Sequence, residues 1–165
     1  MEDIGEDDAL APVGNLSQAA LMVQRGVSRM LGRQNIACLQ EVSLPNKRRA
    51  DLVAVLPKGE LWIIEIKSGL PDFQADQKWP DYLAFCDRFF FAIDADFPRD
   101  RLPDNIGIIL ADAYDAEIIV AAPHHKLAGA RRHAMTRRLA RIGAFRAMRQ
   151  ADPRRRNMIF DGNKD

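Results

Sequence analysis

Three charged residues interrupt the most apolar part of this chain. In the stretch RADLVAVLPKGELWIIEIKSG, residues 49–69, Asp51 opens one hydrophobic run, while Glu65 and Lys67 close the next. An ionised group buried without compensation costs several kcal/mol or shifts its pKa, so these residues need partners. The turn between the two runs sets their register. Pro57 suits the proline-favouring position of a type I turn and Gly59 the left-handed position after it, which together make a three-residue hairpin with a glycine bulge. Leu56 then lies opposite Glu60, Val53 opposite Ile63 and Asp51 opposite Glu65, with the two carboxylates on neighbouring strands roughly 5 Å apart at Cβ. Lys67 shares their face. In the preceding hairpin a five-residue loop from Leu44 to Arg48 places Glu41 opposite Asp51 as a third acid in the row.

Carboxylates held side by side repel unless one is protonated or a cation lies between them. A divalent ion such as Mg²⁺, with Mn²⁺ as a substitute, is the simplest remedy, and it can orient and acidify water. Lys67 would add a point charge suited to an anionic transition state, for instance a phosphodiester attacked by water. The competing reading is an ion-paired row on a solvated strand end. Against it, Val53, Val55, Trp62 and Ile64 surround the row with apolar residues on both faces, as in a sheet covered by helices.

The elements that must position this row can be read from periodicity. Residues 15–32 carry apolar positions at helical spacing and end near Gly32. Strands are expected at 36–44, 50–56 and 61–67, a helix at 72–87 that Pro80 breaks or kinks, strands at 88–93, 106–112 and 116–122, and a long helix at 127–150 with Met135, Leu139, Ile142, Phe145 and Met148 as its apolar stripe. Short turns pair the first three strands as an antiparallel meander, and the crossover through 72–87 lets the strand at 88–93 join in parallel. The expected class is α/β, a mixed sheet flanked by helices, with residues 15–150 as one domain between an acidic leader at 1–14 and a tail at 151–165.

Composition narrows the setting. The chain has 165 residues, enough for one domain, and no apolar run nears the ~20 residues of a membrane span. The acidic start lacks the features of a secretory signal, so the expected location is cytoplasmic. Cys38 and Cys86 are isolated and read as buried thiols. The net charge of +1 hides an asymmetry: Lys126 to Arg156 holds eleven Lys or Arg against the single acid Asp152. Such a segment is either a nucleic-acid face, with Arg131, Arg138 and Arg141 as contacts, or a solvated helix whose charges serve solubility or pair with acids elsewhere. Lys78 and Trp79 are further candidates, the indole ring being able either to stack on an unpaired base or to pack on the sheet.

Asp51, thirteen intervening residues and Glu65-Ile66-Lys67, on the second and third strands of a helix, meander, helix, strand order, resemble the PD-(D/E)XK nuclease superfamily. The segment IIEIKSGLPDFQADQKWPDYLAFCDRFFFAID, 63–94, is similar to the MmcB-like DNA repair proteins of bacteria, and the similarity extends over about residues 15–150. The resemblance implies a restriction-endonuclease-like fold with an α-β-β-β-α-β core, two further strands and a C-terminal helix. It implies Asp51 and Glu65 as metal-binding acids, the Ile66 carbonyl as a main-chain ligand and Lys67 as the catalytic lysine. Ala50 stands where the motif name has proline, a departure that leaves the metal acids untouched. Glu41 matches an acid that many members carry on the first helix instead, and Gln77 and Tyr82 stand one residue further apart than the glutamine and tyrosine of some repair nucleases. The implied activity is Mg²⁺-dependent hydrolysis of DNA by a metal-bound water. The alternative is a nucleic-acid-binding module of the same fold, weak or inactive by itself, that works with a repair partner or as a homodimer.

Overall fold

The computed structural model describes residues 16–69 and 78–152. Ser17 caps the first helix, α1 (Gln18–Arg33), by accepting the Ala20 N–H at 3.1 Å. Gly32 lies inside the helix, and the stop comes from Asn35, which takes the left-handed conformation at φ 59° while the Ile36 N–H returns to the Leu31 carbonyl at 2.9 Å.

A six-stranded sheet follows, its strands lying in sequence order. They are β1 (Ala37–Ser43), β2 (Arg49–Val55), β3 (Leu61–Lys67), β4 (Arg88–Ile93), β5 (Gly107–Ala111) and β6 (Ala116–Val120). The meander β1-β2-β3 is antiparallel, β4 and β5 each join in parallel, and β6 closes the far edge antiparallel. This is the expected mixed α/β sheet. The β2–β3 turn is also the expected one: Gly59 sits at φ 85°, its N–H reaches the Leu56 carbonyl at 2.8 Å, and the Leu56 N–H donates to the Glu60 carbonyl at 2.9 Å.

One element differs. Where periodicity suggests an α-helix over 72–87, residues 70–77 lie outside the described residues and Trp79–Phe85 form a 3-10 helix, with Pro80 in its first turn. Proline cannot donate to the preceding turn, so the segment winds tightly and stops before Cys86. The leader and all of the tail beyond Asp152 also fall outside the described residues.

Each sheet face is covered. On one, α1 lays Val23, Val27 and Leu31 over Leu52, Ile64 and Phe90. On the other, the C-terminal helix α2 (Gly129–Ala151) and the 3-10 segment cover Val53, Ile63 and Phe91 with Met135, Leu139, Ile142 and Tyr82. Phe145 packs at the margin, and Met148, expected on the same stripe, is instead 43% exposed. Gly26 lets α1 approach the β5–β6 turn, since a Cβ there would fall 2.1 Å from the Asp112 carbonyl oxygen. No helix among the described residues is long and apolar enough to cross a membrane.

Candidate functional site

The β2–β3 ladder runs from Val55↔Leu61 to Leu52↔Ile64. One step further in the same register Asp51 meets Glu65, and there the side chains take over the hydrogen bonding. Asp51 Oδ2 accepts the Ile66 N–H at 2.7 Å, and Glu65 Oε1 accepts the Asp51 N–H at 3.1 Å. Each carboxylate therefore holds a main-chain donor at this junction, so the two acids interlock at the strand end. Glu65 is 4% exposed and Asp51 half-buried. Lys67, also 4% exposed, ends β3 opposite Ile93 and carries its Nζ 5.8 Å from the centre of the Phe91 ring, a cation–π distance. Ser68 follows, its hydroxyl 3.1 Å from that of Ser17, so the start of α1 is tied to the exit of β3.

Glu41 lies across from Asp51 as expected, between the pairs Gln40↔Leu52 and Val42↔Ala50. Its backbone was not foreseen: φ is 49°, a left-handed conformation rare for a residue with a side chain. Leu39 and Val42 consequently face the same core, an interval of three where a regular strand gives two. The Glu41 carboxylate is buried and meets Arg49 Nε at 2.6 Å, while Arg146 donates to the Gln40 and Glu41 carbonyls at 2.5 and 2.9 Å. Burial lowers the Arg146 pKa, and the nearby Glu41 charge pulls it back up. Among the described residues no group of three or more His, Cys, Asp or Glu is arranged to hold a metal. The row is thus an interlocked pair, Asp51 and Glu65, with Glu41 beside it on Arg49. The Ile66 main chain lies at the junction through its N–H.

The arginines of α2 do less at the surface than their spacing suggested. Arg138 is 7% exposed and donates through Nε to the Ser43 carbonyl at 2.7 Å. Arg131 reaches the Ala84 carbonyl at 3.1 Å and lies over Phe85, and Arg141 lies over Phe145. With Arg146, Arg138 satisfies carbonyls of β1, the outer strand of the meander, and so blunts an edge that could pair with another chain. Trp79 is half-buried with its ring 5.6 Å from Phe89 and 6.4 Å from Phe91, and Lys78 beside it is exposed. Tyr82 is buried, stacks on Phe89 and donates its hydroxyl to the Arg49 carbonyl at 3.1 Å. Gln77 lies outside the described residues.

The strongest polar cluster was missed by sequence reasoning. Asp87, fully buried, accepts the N–H groups of Leu61 and Leu127 at 2.8 and 2.9 Å and both arms of the Arg132 guanidinium at 2.7 and 2.6 Å. Burial alone would raise its pKa, but these donors hold it down at about 2. The signal was present, since Asp87 stands at the mouth of the apolar run RFFFAI just as Asp51 opens its own.

The comparisons with known proteins bear on this geometry. The family described as DNA repair protein MmcB-like matches residues 7–154. The chain belongs to that family. No curated protein matches. Among solved structures, the SPO1766 protein of unknown function from Silicibacter pomeroyi is similar at a TM-score of 0.79 and 43% identity, over 84% of this chain and 94% of that one. The matched range of the family contains Asp51, Glu65 and Lys67, the residues on which the likeness to PD-(D/E)XK nucleases was drawn.

Proposed function

We propose that this chain is a divalent-metal-dependent nuclease acting on DNA in repair, with the site at the junction of β2 and β3. The observation that carries the reading is the interlocked pair Asp51 and Glu65, two like charges brought together beside the buried Lys67. The donor chemistry fits Mg²⁺, which favours carboxylate oxygens supplemented by main-chain carbonyl and water. Asp51 and Glu65 would hold it, with the Ile66 carbonyl as the main-chain candidate and Glu41 as a neighbouring acid. When bound, the ion supplies Lewis acidity and an activated water. Lys67, fixed at the end of β3 against Phe91, would stabilise negative charge developing on the phosphate. Membership of a DNA repair family supports DNA as the substrate.

A second reading has an observation of its own. Both carboxylates also cap main-chain N–H groups, so acceptors at these two positions would serve the fold even in a module that only binds nucleic acid and leaves cutting to a partner.

Purified protein incubated with branched, nicked and single-stranded DNA, and with matching RNA, in Mg²⁺ or Mn²⁺ decides between them. Cutting that disappears in EDTA and in Asp51→Asn, a change that keeps an acceptor for Ile66, is the expected result. DNA binding with no cutting of any substrate would favour the second reading.

A further inference from the structure

Two surface depressions flank α1, and they differ in charge. The larger, about 590 Å³, has Met22 and Val23 in its wall and carries Asp94, Asp96, Asp112 and Glu117 at its rim, which repels a phosphate. The smaller, about 390 Å³, is formed by Leu21, Gln24, Arg25, Ser28 and Arg29 of α1 with Gln40 of β1. No carboxylate lines it. Gln24 is 6% exposed, and its Nε2 is buried with no hydrogen-bond partner among the described residues. A donor left in that state bears its desolvation penalty with no bond in return. Arg25 is exposed and has no hydrogen bond or ion pair among the described residues. Arg29 spends one N–H on the Ala113 carbonyl at 3.2 Å, which leaves the remainder of its guanidinium fork for another acceptor. The depression lies on the α1 face while Asp51 and Glu65, alternating with Leu52 and Ile64, share the opposite face with Val53 and Ile63, so the two are connected around the edge strand β1, where Gln40 precedes Glu41.

We propose that this depression binds a phosphodiester group of a nucleic-acid strand engaged at Asp51 and Glu65, with Arg25 supplying charge and the Gln24 amide, which lines the depression, turning so that Nε2 donates to a phosphate oxygen. This rests on the nucleic-acid reading above and adds a second point of strand contact on the α1 side of the sheet. An oxyanion is the shared chemistry, so free inorganic phosphate is the other source to be separated.

The test measures binding of fluorescein-labelled single-stranded and duplex DNA by anisotropy in EDTA, over a range of salt, for the full chain and two variants. Arg25→Gln removes the charge, and affinity should fall about tenfold. The slope of log K against log salt should also flatten, by about 0.9 on duplex or about 0.7 on single strands. Gln24→Met removes a neutral donor at similar volume. It should weaken binding about fivefold while leaving the slope unchanged, and it should melt no lower than wild type because the orphaned donor is gone. Unchanged DNA affinity and slope in both variants would overturn the proposal. It is equally overturned if inorganic phosphate raises the melting temperature of wild type but not of Arg25→Gln while DNA affinity stays the same in all three. Cutting assays run in parallel separate the two readings. Binding that depends on Arg25 and Gln24 in a protein that never cuts sustains this inference and sinks the nuclease, whereas cutting that needs Asp51 but neither of these residues does the reverse.

Discussion

Replacing Asp87 should cost this protein more than replacing any acid of the candidate site. Asp87→Ala removes the acceptor from two main-chain donors, Leu61 and Leu127, and leaves the Arg132 guanidinium without its carboxylate. A buried donor deprived of its acceptor costs ~1–3 kcal/mol, and breaking a buried ion pair from one side costs ~3–5 kcal/mol. Arg132 is partly exposed and keeps its bond to the Gly59 carbonyl at 2.7 Å, which allows some rehydration, so about 4 kcal/mol is the expected total. For a domain stable by ~5–15 kcal/mol this is a large share. With a urea m-value of about 2 kcal/mol/M, the unfolding midpoint should fall by about 2 M.

The same residue sets a pH dependence whose sign follows from its depressed pKa. Asp87 is held at about 2 in the folded chain, against ~3.9 for an unperturbed aspartate. The unfolded state therefore binds the proton more readily, and stability is lost as pH falls from about 4 towards 2. The linked contribution above that window is about 2–3 kcal/mol. Asp87→Asn should remove this part of the acid sensitivity while keeping most of the side-chain volume. Urea midpoints at pH 7 and pH 3 measure both effects. An Asp87→Ala protein within about 0.5 kcal/mol of wild type at pH 7, the scatter of ordinary surface changes, would refute the reasoning.

Two other outcomes test the site and the basic helix. Lys67→Met should leave Mn²⁺ binding by calorimetry nearly unchanged and reduce cutting at least about a hundredfold, as loss of a group acting on the transition state does; equal cutting by mutant and wild type would remove the lysine from the chemistry. Arg138→Gln should lower stability by about 1–2 kcal/mol through its lost bond to Ser43 and leave the salt slope of DNA binding unaltered, because that guanidinium is buried. A flattened slope with full stability would restore Arg138 as a phosphate contact.

How far the sequence could be read depended on whether local chemistry alone decided the outcome. The β2–β3 register was legible because Pro57 and Gly59 together demand one turn, and with that turn Val53 can only face Ile63. Strand β4 was legible from the unbroken apolar run after Arg88. The 3-10 segment was half legible: Pro80 announced a break, but whether a proline kinks a helix or tightens it depends on what lies beneath, here Phe89 under Trp79 and Tyr82. Among the arginines of α2, Arg138 was expected on the outer side and lies buried for an identifiable reason. Arg138 stands three residues after Met135 and four before Ile142, on the buried stripe itself. Counting only apolar residues hid it, although an arginine stem can lie in a core while its head finds a carbonyl.

The same physics separates the two acid clusters. Asp87 and Arg132 are matched one carboxylate to one guanidinium, with both oxygens engaged, and Glu41 has Arg49 at 2.6 Å. These are pairs of opposite charge, one acid to one guanidinium. Asp51 and Glu65 instead cap each other's strands and so draw two negative charges to one point. A fold that needed only the caps could have used one acid and a neutral acceptor, since asparagine or glutamine accepts a main-chain N–H without the repulsion. Both charges are kept at one strand end beside the buried Lys67, and a divalent ion bound there would place positive charge between them. Substitution of either acid by its amide should then stabilise the metal-free protein, or leave it unchanged, while abolishing Mn²⁺ binding by calorimetry. Amide variants that destabilise the metal-free fold would mean that the charges serve the strand junction and not an ion.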